Sequence, residues 1–576
     1  MNYVITIFHI FNDYIIYMQR EAKILILLFI IFSIHTSAQS TFINLGNRDN
    51  HFLDRVEIKY NKIGNFNFTT VKPFSRNFLM QQINLVDSQH LNNINKIDKY
   101  NFESLYMNNI EWVNPASSFF KSKRSLIKSL YVTKANLFEI KNEDLFLCIN
   151  PIINIQYGHE SGYGKELFIN TRGLTMRGVI GNKIGFSSTI TDNQERGPQF
   201  FQQLVSQYKA VPGVGFYKDF KEDISANDYF DGRGYITFNS GKFIDFQLGF
   251  DKNFIGNGYR SLFLSDNANS NLFAKINTRL WKFNYQNLYM ELMPQFKKKG
   301  DLLLKRKFAV IHHLSIDVTK KLNIGLFESV MMSRSDHIDF EYLNPIIFYR
   351  HIEGNVGSPD NALAGFDFKY NIQRKIQVYG QLLLDEFVLS KIKNEPSNWV
   401  NKFGYQLGAK YIDAFSIRNL DLQIEMNRVR PFTYSHNDTI CNYTHYNQPL
   451  AHPLGANFQE LIGVISFQAS PRLNLYARGI YYYKGMDSSS QSYGGNIFRS
   501  YNARGKQNNG FYVGSGNKIH CLNLLLNASY EIKRNLFFDA GFLLRNNKLQ
   551  NQKISNSASV FNVGIRLNIT RREYDY

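Results

Sequence analysis

The stretch from Cys521 to Arg545 most constrains what this chain can fold into, because it alternates apolar and polar residues in two successive runs. In the first run, Leu522 to Ile532, the apolar residues fall on every second position. A period of two gives a β-strand one apolar and one polar face. Lys533-Arg534-Asn535 interrupts the pattern, and the apolar face resumes at Leu536. The first run covers 11 residues, and a strand tilted by about 45° crosses a bilayer with about that length. The stretch therefore predicts a membrane hairpin.

The same alternation recurs from Leu145 onward, and short turns join the runs in pairs. Long polar connections separate one pair from the next, and a bacterial outer-membrane barrel distributes its periplasmic turns and extracellular loops in this way. The predicted turns are Gly181-Asn182-Lys183, Ser240-Gly241-Lys242, Trp281-Lys282, Lys320-Lys321, Gln373-Arg374-Lys375, 416–419, Ser470-Pro471-Arg472 and Lys533-Arg534-Asn535. The predicted long connections are 192–230, 251–270, 330–364, 386–402, 427–460 and 485–519.

Counting strands gives the architecture. Two strands beside each turn, a first strand at Leu145 and a closing strand from Phe561 to Ile569 give about 18. An even number returns both ends of the barrel to the periplasm. We predict an all-β fold, an antiparallel transmembrane β-barrel over residues 141–576, with Tyr574 and Tyr576 at the membrane interface. The alternative all-β fold is a soluble sandwich or propeller, whose strands are typically shorter.

The composition agrees with a membrane barrel and limits the classes of molecule that are expected to bind it. Aromatic residues make up 15% of the chain, yet its mean hydropathy is -0.30, because lipid-facing residues of a barrel are offset by lumen and loop residues. After residue 40 no apolar run approaches the length of a spanning helix. Three scattered cysteines argue against a disulfide framework or a thiolate metal site, and we expect no cofactor. The net charge of +19 is spread through turns and loops, which favours anionic lipid headgroups or acidic glycans over nucleic acid.

The first 140 residues divide into a leader and a region without barrel periodicity. A basic residue, the apolar run Lys23 to Ile34 and small residues up to Ala38 predict a signal peptide over 1–38, with export to the outer membrane. Met18 fits the start of such a leader better than Met1 does. Residues 39–140 alternate poorly, include a predicted short helix at Phe78 to Val86, and are interpreted as a periplasmic lead-in or plug.

Several segments after residue 160 carry a further signal. They are Phe168-Ile-Asn-Thr-Arg-Gly173, 228–235 (DYFDGRGY), 249–268 (GFDKNFIGNGYRSLFLSDNA), 342–350 (YLNPIIFYR) with 357–362 (GSPDNA), and 449–458 (PLAHPLGANF). In order and length these segments resemble signatures of Wzi-type capsule-assembly proteins, particularly the RemB-type gliding-motility proteins of Bacteroidetes. The resemblance implies an outer-membrane barrel that associates with surface polysaccharide, has no established catalytic activity, and supports gliding and surface spreading.

Two groups of loop residues are candidates for polysaccharide binding, because sugars are held by planar polar side chains and aromatic rings. The alternative for the first group is that its loop folds inward, with Asp251 and Arg260 paired in a lumen plug. The loop Ser488 to Gly516 is either a hydrated surface or a glycan-facing lid. The first group is Asp251, Asn257, Tyr259, Arg260, Asp266 and Asn267, and the second is Asn344, Tyr349, Arg350, Asp360 and Asn361.

Two other functions stay open at this point. A porin-like channel would need an open lumen lined by charge. An outer-membrane lipid hydrolase would use His159 and Ser161, which are two positions apart and so share the strand face predicted to point toward lipid. Asn170 would orient the histidine.

The sequence argues against a glycosidase. It needs two converging carboxylates, but the adjacent Asp385 and Glu386 point to opposite faces of a strand. We therefore predict a non-enzymatic outer-membrane barrel that contacts outer-membrane lipid and surface polysaccharide, with gliding or adhesion machinery as a further expected partner.

Overall fold

The structure is a computed structural model, which describes most of the chain after the predicted signal peptide. The described residues are 40–46, 48–60, 67–90, 94–113, 121–122, 130–221, 223–241, 243–294, 303–334, 337–346, 352, 354, 357, 360–386, 388–550 and 555–576. The predicted signal peptide and the candidate residues Tyr349 and Arg350 lie outside them.

The chain forms a closed antiparallel β-barrel of 18 strands, which confirms the predicted fold. The last strand pairs with the first, from Val560 opposite Glu160 to Leu567 opposite Ile153. The strands are β1 (Leu145–Glu160), β2 (Leu167–Ile180), β3 (Ile184–Arg196), β4 (Asp223–Ser240), β5 (Ile244–Asp251), β6 (Asn271–Leu280), β7 (Phe283–Leu292), β8 (Lys307–Asp317), β9 (Leu322–Met332), β10 (Asn361–Ile372), β11 (Ile376–Glu386), β12 (Lys402–Tyr411), β13 (Leu420–Val429), β14 (Phe458–Gln468), β15 (Leu473–Met486), β16 (Asn517–Lys533), β17 (Leu536–Leu549) and β18 (Ser555–Leu567).

All eight predicted short turns connect consecutive strands at one end of the barrel. The predicted long connections lie at the other end, together with three connections that were not predicted, 161–166, 293–306 and 550–554. The strands are also longer than their apolar patterns indicate, and β16 has 17 residues. By the usual distribution of loop lengths, the end with the short turns is periplasmic and the other is extracellular.

The outer wall of the barrel is apolar. In β16 the side chains of Leu522, Leu524 and Leu526 are exposed, whereas Asn523 and Leu525 between them are buried on the lumen side. The apolar face of the predicted hairpin therefore points toward lipid, where exposed apolar surface is stabilised. Among the described residues, no helix combines the length and the apolar character needed to span a membrane. Other strongly exposed apolar residues include Ile155, Tyr157, Phe230, Ile424, Leu461 and Phe561.

Three helices precede the barrel within the described residues: α1 (Arg48–Tyr60), α2 (Arg76–His90) and α3 (Lys96–Asn108). The predicted helix at Phe78 to Val86 lies within α2. The helices share a core of their own, because their buried apolar side chains form one cluster. The cluster contains Ile43, Phe52, Leu53, Val56, Phe68, Phe74, Leu79, Met80, Ile83, Val86, Phe102 and Leu105.

Ion pairs attach these helices to the periplasmic end of the barrel. Arg55 is paired with Asp421 and lies 2.8 Å from Asp413, and Glu57 lies 2.9 Å from the Lys369 ammonium. Burial alone would raise the pKa of Asp413, but Arg55 and Lys59 hold it well below its usual range. The limits of a lead-in or plug at 39–140 stay a prediction.

The remaining elements lie in the connections. Val71–Lys72 pairs with Phe254–Ile255, so the N-terminal region reaches the loop that follows β5. The described connections also contain α4 (Gln199–Tyr208) and α5 (Leu389–Asn394). The short strands are Phe42–Ile43, Phe74–Ser75, Phe138–Lys141, Lys218–Phe220, Thr444–His445 and Gln448–Pro449, and the 3-10 helices are Asn67–Thr70, Ile110–Trp112, Phe340–Leu343, Ala414–Ser416, Thr439–Cys441 and Tyr501–Arg504.

The largest apolar core among the described residues lies inside the barrel. Loop residues such as Leu262, Phe263 and Tyr434 are fully buried and pack with lumen-facing residues of the wall, among them Leu383 and Val429. The Phe263 ring stacks on Phe327 at 4.3 Å. Extracellular connections therefore fold into the lumen and fill it with side chains.

Candidate functional site

The loop at 252–270, which carries the first group of candidate residues, is bound to the lumen wall. Glu425 of β13 accepts the backbone N–H groups of Tyr259 at 2.6 Å and of Arg260 at 3.0 Å. A Cβ atom on Gly258 would lie 2.4 Å from the Glu425 carboxylate, so this close approach requires glycine. The Tyr434 hydroxyl donates to the Leu262 carbonyl at 2.8 Å. The alternative that the loop folds inward agrees with this geometry.

The buried partner of Arg260 is Asp575 in the C-terminal tail. Their side chains lie 2.9 Å apart, and Glu460 lies 3.7 Å from the same guanidinium. The Tyr259 hydroxyl also donates to Asp575, at 2.7 Å. Burial alone would raise the pKa of Asp575, but Arg260 and Arg478 lower it well below its usual range. The tail, rather than the expected Asp251, neutralises Arg260.

The C-terminal tail, residues 568–576, runs back into the lumen, so the prediction of Tyr574 and Tyr576 at the membrane interface is wrong. The Tyr574 hydroxyl donates to Glu195 at 2.7 Å, and its ring lies 5.3 Å from Phe201. Arg545 donates to the Tyr576 carbonyl.

The redirection of the tail has a local cause. The regular strand ends at Leu567, and Asn568 takes a positive φ of 54° and donates to the Pro151 carbonyl at 2.8 Å. The charged residues that follow find opposite charges in the lumen: Arg572 lies 3.1 Å from Glu195, and Glu573 is paired with Arg478. At a lipid interface they would have lacked these partners.

The other residues of the first group have mixed environments. Asn257 is buried and accepts a hydrogen bond from the Thr70 hydroxyl at 3.1 Å. Asn267 donates to the Pro449 carbonyl at 3.1 Å, and Asp251 ends β5. Asp266 is exposed, and its carbonyl accepts from the Lys252 ammonium at 2.8 Å. Burial lowers the pKa of Lys252 to about 8.

The second group of candidates is divided between two sides of the barrel wall. Asp360 is buried, accepts from the Tyr342 hydroxyl at 2.9 Å and is paired with Arg334. Asn361 donates to the Cys441 carbonyl at 3.0 Å in the extracellular loops. Asn344 is exposed in the segment 337–346, which packs against outward-facing strand residues.

The contacts of this segment show that it covers part of the outer wall. The Tyr289 hydroxyl of β7 donates to the Leu343 carbonyl at 3.1 Å, and the Tyr285 hydroxyl donates to the Pro345 carbonyl at 2.6 Å. The second group is therefore not gathered into one site by its described members.

A surface that the sequence did not single out lies where three extracellular loops meet. Its members are Trp399, Asn437, Tyr501, Asn502 and Arg504, and we call it the aromatic–amide surface. The Trp399 and Tyr501 rings lie 4.8 Å apart at 35°, and the Arg504 guanidinium lies 3.8 Å from the Trp399 ring. The Asn502 amide donates to the Asn437 side-chain oxygen at 2.5 Å.

This surface combines accessible rings with accessible amides. The rings of Trp399 and Tyr501 are half-buried, while Asn437 and Asn502 are exposed. The Trp399 backbone is fixed by a hydrogen bond to the Asn508 carbonyl at 3.0 Å. The Tyr- and Asn-rich composition of 488–516 was the signal in the sequence, but it did not indicate that a tryptophan from the β11–β12 connection joins this loop.

The residues of the hydrolase alternative lie at an exposed hairpin end. His159 is exposed and lies 3.5 Å from Glu166, and Ser161 is in the turn after β1. Asn170 donates to Gln194 at 3.1 Å, so its amide is engaged away from the histidine. Within the described part of the chain, no group of three or more His, Cys, Asp or Glu residues is arranged to hold a metal ion.

Comparison with known proteins identifies the family. The sequence profile of the capsule assembly protein Wzi matches residues 226–538. Among solved structures, Wzi, an outer-membrane protein involved in group 1 capsule assembly in Escherichia coli and a carbohydrate-binding β-barrel, superposes with a TM-score of 0.57 at 12% identity, covering 92% of this chain and 100% of Wzi.

Two other solved structures superpose less well. For OprD of Pseudomonas aeruginosa the TM-score is 0.40 at 11% identity, over 78% of this chain and 97% of OprD. For OccAB2 of Acinetobacter baumannii it is 0.40 at 9% identity, over 73% of this chain and 97% of OccAB2. No curated protein sequence matches the chain. Since the Wzi profile covers more than half of the chain and the barrel has an apolar outer wall, the protein is an outer-membrane β-barrel that belongs to the Wzi capsule-assembly family.

Proposed function

We propose that this barrel binds surface polysaccharide at its extracellular end and helps to retain it on the cell. Membership of the Wzi family supports the proposal, and so does the description of Escherichia coli Wzi as a carbohydrate-binding barrel involved in capsule assembly. The observation that carries it is the aromatic–amide surface.

The chemistry of this surface suits a sugar chain. The half-buried Trp399 and Tyr501 rings supply apolar surface of the kind that covers the C–H face of a pyranose. The Asn437 and Asn502 amides supply donors and acceptors for hydroxyl groups. Arg504, a planar cation with several donors, would pair with a carboxylate on an acidic glycan. We therefore propose an acidic polysaccharide as the preferred ligand.

The candidate residues predicted from the sequence differ in whether they are exposed at the surface or buried inside the barrel. Asp266 and Asn344 are exposed. Asn257, Arg260 and Asp360 are buried with protein partners, so substitutions there would alter the barrel interior before they altered a surface site.

The test is binding of the refolded, detergent-solubilised protein to polysaccharide extracted from its own cell surface. The Trp399→Ala/Asn502→Ala variant removes a ring face and an amide, which together stabilise a complex by about 2 kcal/mol, or more than tenfold in affinity. The control is Trp281→Ala/Asn182→Ala, which changes the same residue types in exposed periplasmic turns.

The outcomes separate the alternatives. Loss of binding in the Trp399 variant alone supports the proposed surface, whereas loss in Asp266→Ala/Asn267→Ala alone would return the site to the loop predicted from the sequence. If no form binds and the protein conducts ions in a planar bilayer, the porin-like alternative is favoured and family membership describes the fold alone.

The resemblance of the loop motifs to RemB-type proteins supports a second proposal, that polysaccharide held by this barrel assists gliding or surface spreading. Replacing the chromosomal copy with the Trp399→Ala/Asn502→Ala variant tests it by colony spreading. Unchanged spreading by cells that have lost surface polysaccharide would refute the motility link and leave the capsule role intact.

A further inference from the structure

The eight short periplasmic turns share one property, which is positive charge. Each turn carries at least one lysine or arginine, and the one acidic residue in the connections between these strands is Asp413, whose carboxylate is paired with Arg55 and Lys59. The strand ends beside them are mostly apolar or amide residues. The basic residues of the turns are Lys183, Lys242, Lys282, Lys320, Lys321, Arg374, Lys375, Arg418, Arg472, Lys533 and Arg534.

These turn residues differ from the charges on the inner side of the same rim. Toward the lumen, cations are paired with acids: Lys410 lies 2.7 Å from Asp54, and Lys369 lies 2.9 Å from Glu57. On the turns, Lys183, Lys321 and Lys375 are exposed, and within the described residues their ammonium groups have no acidic partner within ion-pair distance. Arg534 belongs with the inner charges, because its guanidinium lies 3.4 Å from Glu531 and 4.5 Å from the Tyr100 ring of α3. The inner charges hold the helices, and the exposed turn lysines face outward.

Exposed aromatic and aliphatic residues accompany the turn charges. Trp281 is 74% exposed beside Lys282, and Phe415 is 73% exposed with Ile417 beside Arg418. Exposed apolar residues at this height are typical of the boundary between hydrocarbon and headgroups, where aromatic rings settle and lysines extend their ammonium groups to the phosphates. The basic turns therefore encircle the barrel at the headgroup level of the periplasmic leaflet.

We propose that this ring of basic turns binds anionic phospholipid headgroups of the periplasmic leaflet, and that it gathers such lipids around the barrel. The proposal is independent of polysaccharide binding. An acidic polysaccharide arriving from the periplasm would be the rival ligand, but the charges stand on the outer circumference beside lipid-facing residues rather than over the lumen. Each basic residue close to an anionic membrane surface strengthens binding by about fivefold.

The experiment measures lipid enrichment around the full chain in nanodiscs. The protein is refolded into a phosphatidylcholine and phosphatidylglycerol mixture of about 3:1, extracted with a mild detergent, and its retained lipids are quantified by mass spectrometry. We expect phosphatidylglycerol to be enriched at least threefold over the bulk mixture, and the enrichment to fall at about 0.5 M NaCl, because exposed charges are screened.

Two variants with equal charge changes locate the effect. The ring variant replaces four exposed turn lysines and is expected to lose at least half of the enrichment, while the control replaces four exposed extracellular lysines and keeps it. Correct folding of each is checked by the heat-dependent gel mobility of the barrel. The ring variant is Lys183→Gln, Lys282→Gln, Lys321→Gln and Lys375→Gln, and the control is Lys209→Gln, Lys218→Gln, Lys393→Gln and Lys506→Gln.

The proposal is overturned by bulk-level phosphatidylglycerol around the native protein, by enrichment that survives high salt, or by equal enrichment in the native protein and the ring variant. The salt arm needs no variant and so decides the question even if the ring variant does not refold. Binding of soluble polygalacturonate by the native protein but not by the ring variant, without lipid enrichment, would assign the ring to an acidic polysaccharide instead.

Discussion

Replacing Arg260 with alanine is expected to weaken the barrel interior strongly, although sequence analysis places this residue in a binding loop. The guanidinium is buried between Asp575 and Glu460. Removing one partner of a buried ion pair leaves an uncompensated charge and typically costs 3–5 kcal/mol, that is, about 4 kcal/mol. Asp575 keeps the Tyr259 hydroxyl at 2.7 Å and Arg478 at 3.7 Å, so we expect the lower end, about 3 kcal/mol.

A double-mutant cycle separates the ion pair from general loss of packing. Asp575→Asn alone should cost about 2 kcal/mol, and the double variant should cost about 1.5 kcal/mol less than the sum of the two single variants, because residues in contact couple by about 0.5–3 kcal/mol. The free energies come from guanidinium unfolding in lipid vesicles, followed by tryptophan fluorescence.

The control for this cycle is the exposed ion pair of Lys165 with Asp223, at 3.0 Å. Because exposed pairs contribute little, Lys165→Ala should cost less than about 1 kcal/mol. Strictly additive single variants, or an Arg260→Ala cost as small as that of the control, would refute the reasoning that the tail is anchored by this buried pair.

Three further predictions concern the filled lumen. Deletion of residues 569–576 should raise the single-channel conductance in planar bilayers, and conductance equal to that of the full chain would show that the tail does not obstruct the lumen. Gly258→Ala should cost about 1–3 kcal/mol through overpacking against the Glu425 carboxylate, whereas Gly463→Ala, where an added Cβ meets open space, should be close to neutral in the same unfolding assay. Burial lowers the pKa of His445 to about 4. The unfolded chain therefore binds more protons between about pH 6.5 and 4, and up to about 3 kcal/mol of stability should be lost as pH falls through this window. The lost stability should appear as faster amide exchange around Thr444–His445, and exchange in a His445→Gln variant should lack this pH dependence.

The barrel could be predicted from the sequence because its strands obey a local rule. A strand between lipid and a packed lumen must alternate, so the pattern from Leu522 to Ile532 fixes which face is outward without reference to the rest of the chain. The turns are equally local, since Asn182 and Asn535 take the positive φ that tight turns require. Strand ends were harder to predict, because β16 continues beyond its apolar pattern into the extracellular region.

The lumen could not be predicted because its partners are far apart in sequence. Arg260 meets Asp575 across more than 300 residues, and the Tyr259 and Arg260 amides meet Glu425 across about 165. No periodicity reports such contacts. The polar and aromatic composition of 251–267 was read as a surface that binds sugar, but the same residue types also satisfy buried polar groups inside a barrel.

The filling of the lumen determines where this protein can meet its ligands. Phe263, Tyr434 and Tyr443 are fully buried in the barrel interior, in a cluster that draws on loops from the extracellular end, while Arg55 and Glu57 attach the N-terminal helices at the periplasmic end. A polymer threaded through the barrel would have to displace both sets of contacts together with the C-terminal tail. Binding at the rims displaces none of them. The two proposals made above therefore lie at the two ends, polysaccharide at the aromatic–amide surface and anionic lipid at the basic turns, and each can fail in its own assay without affecting the other.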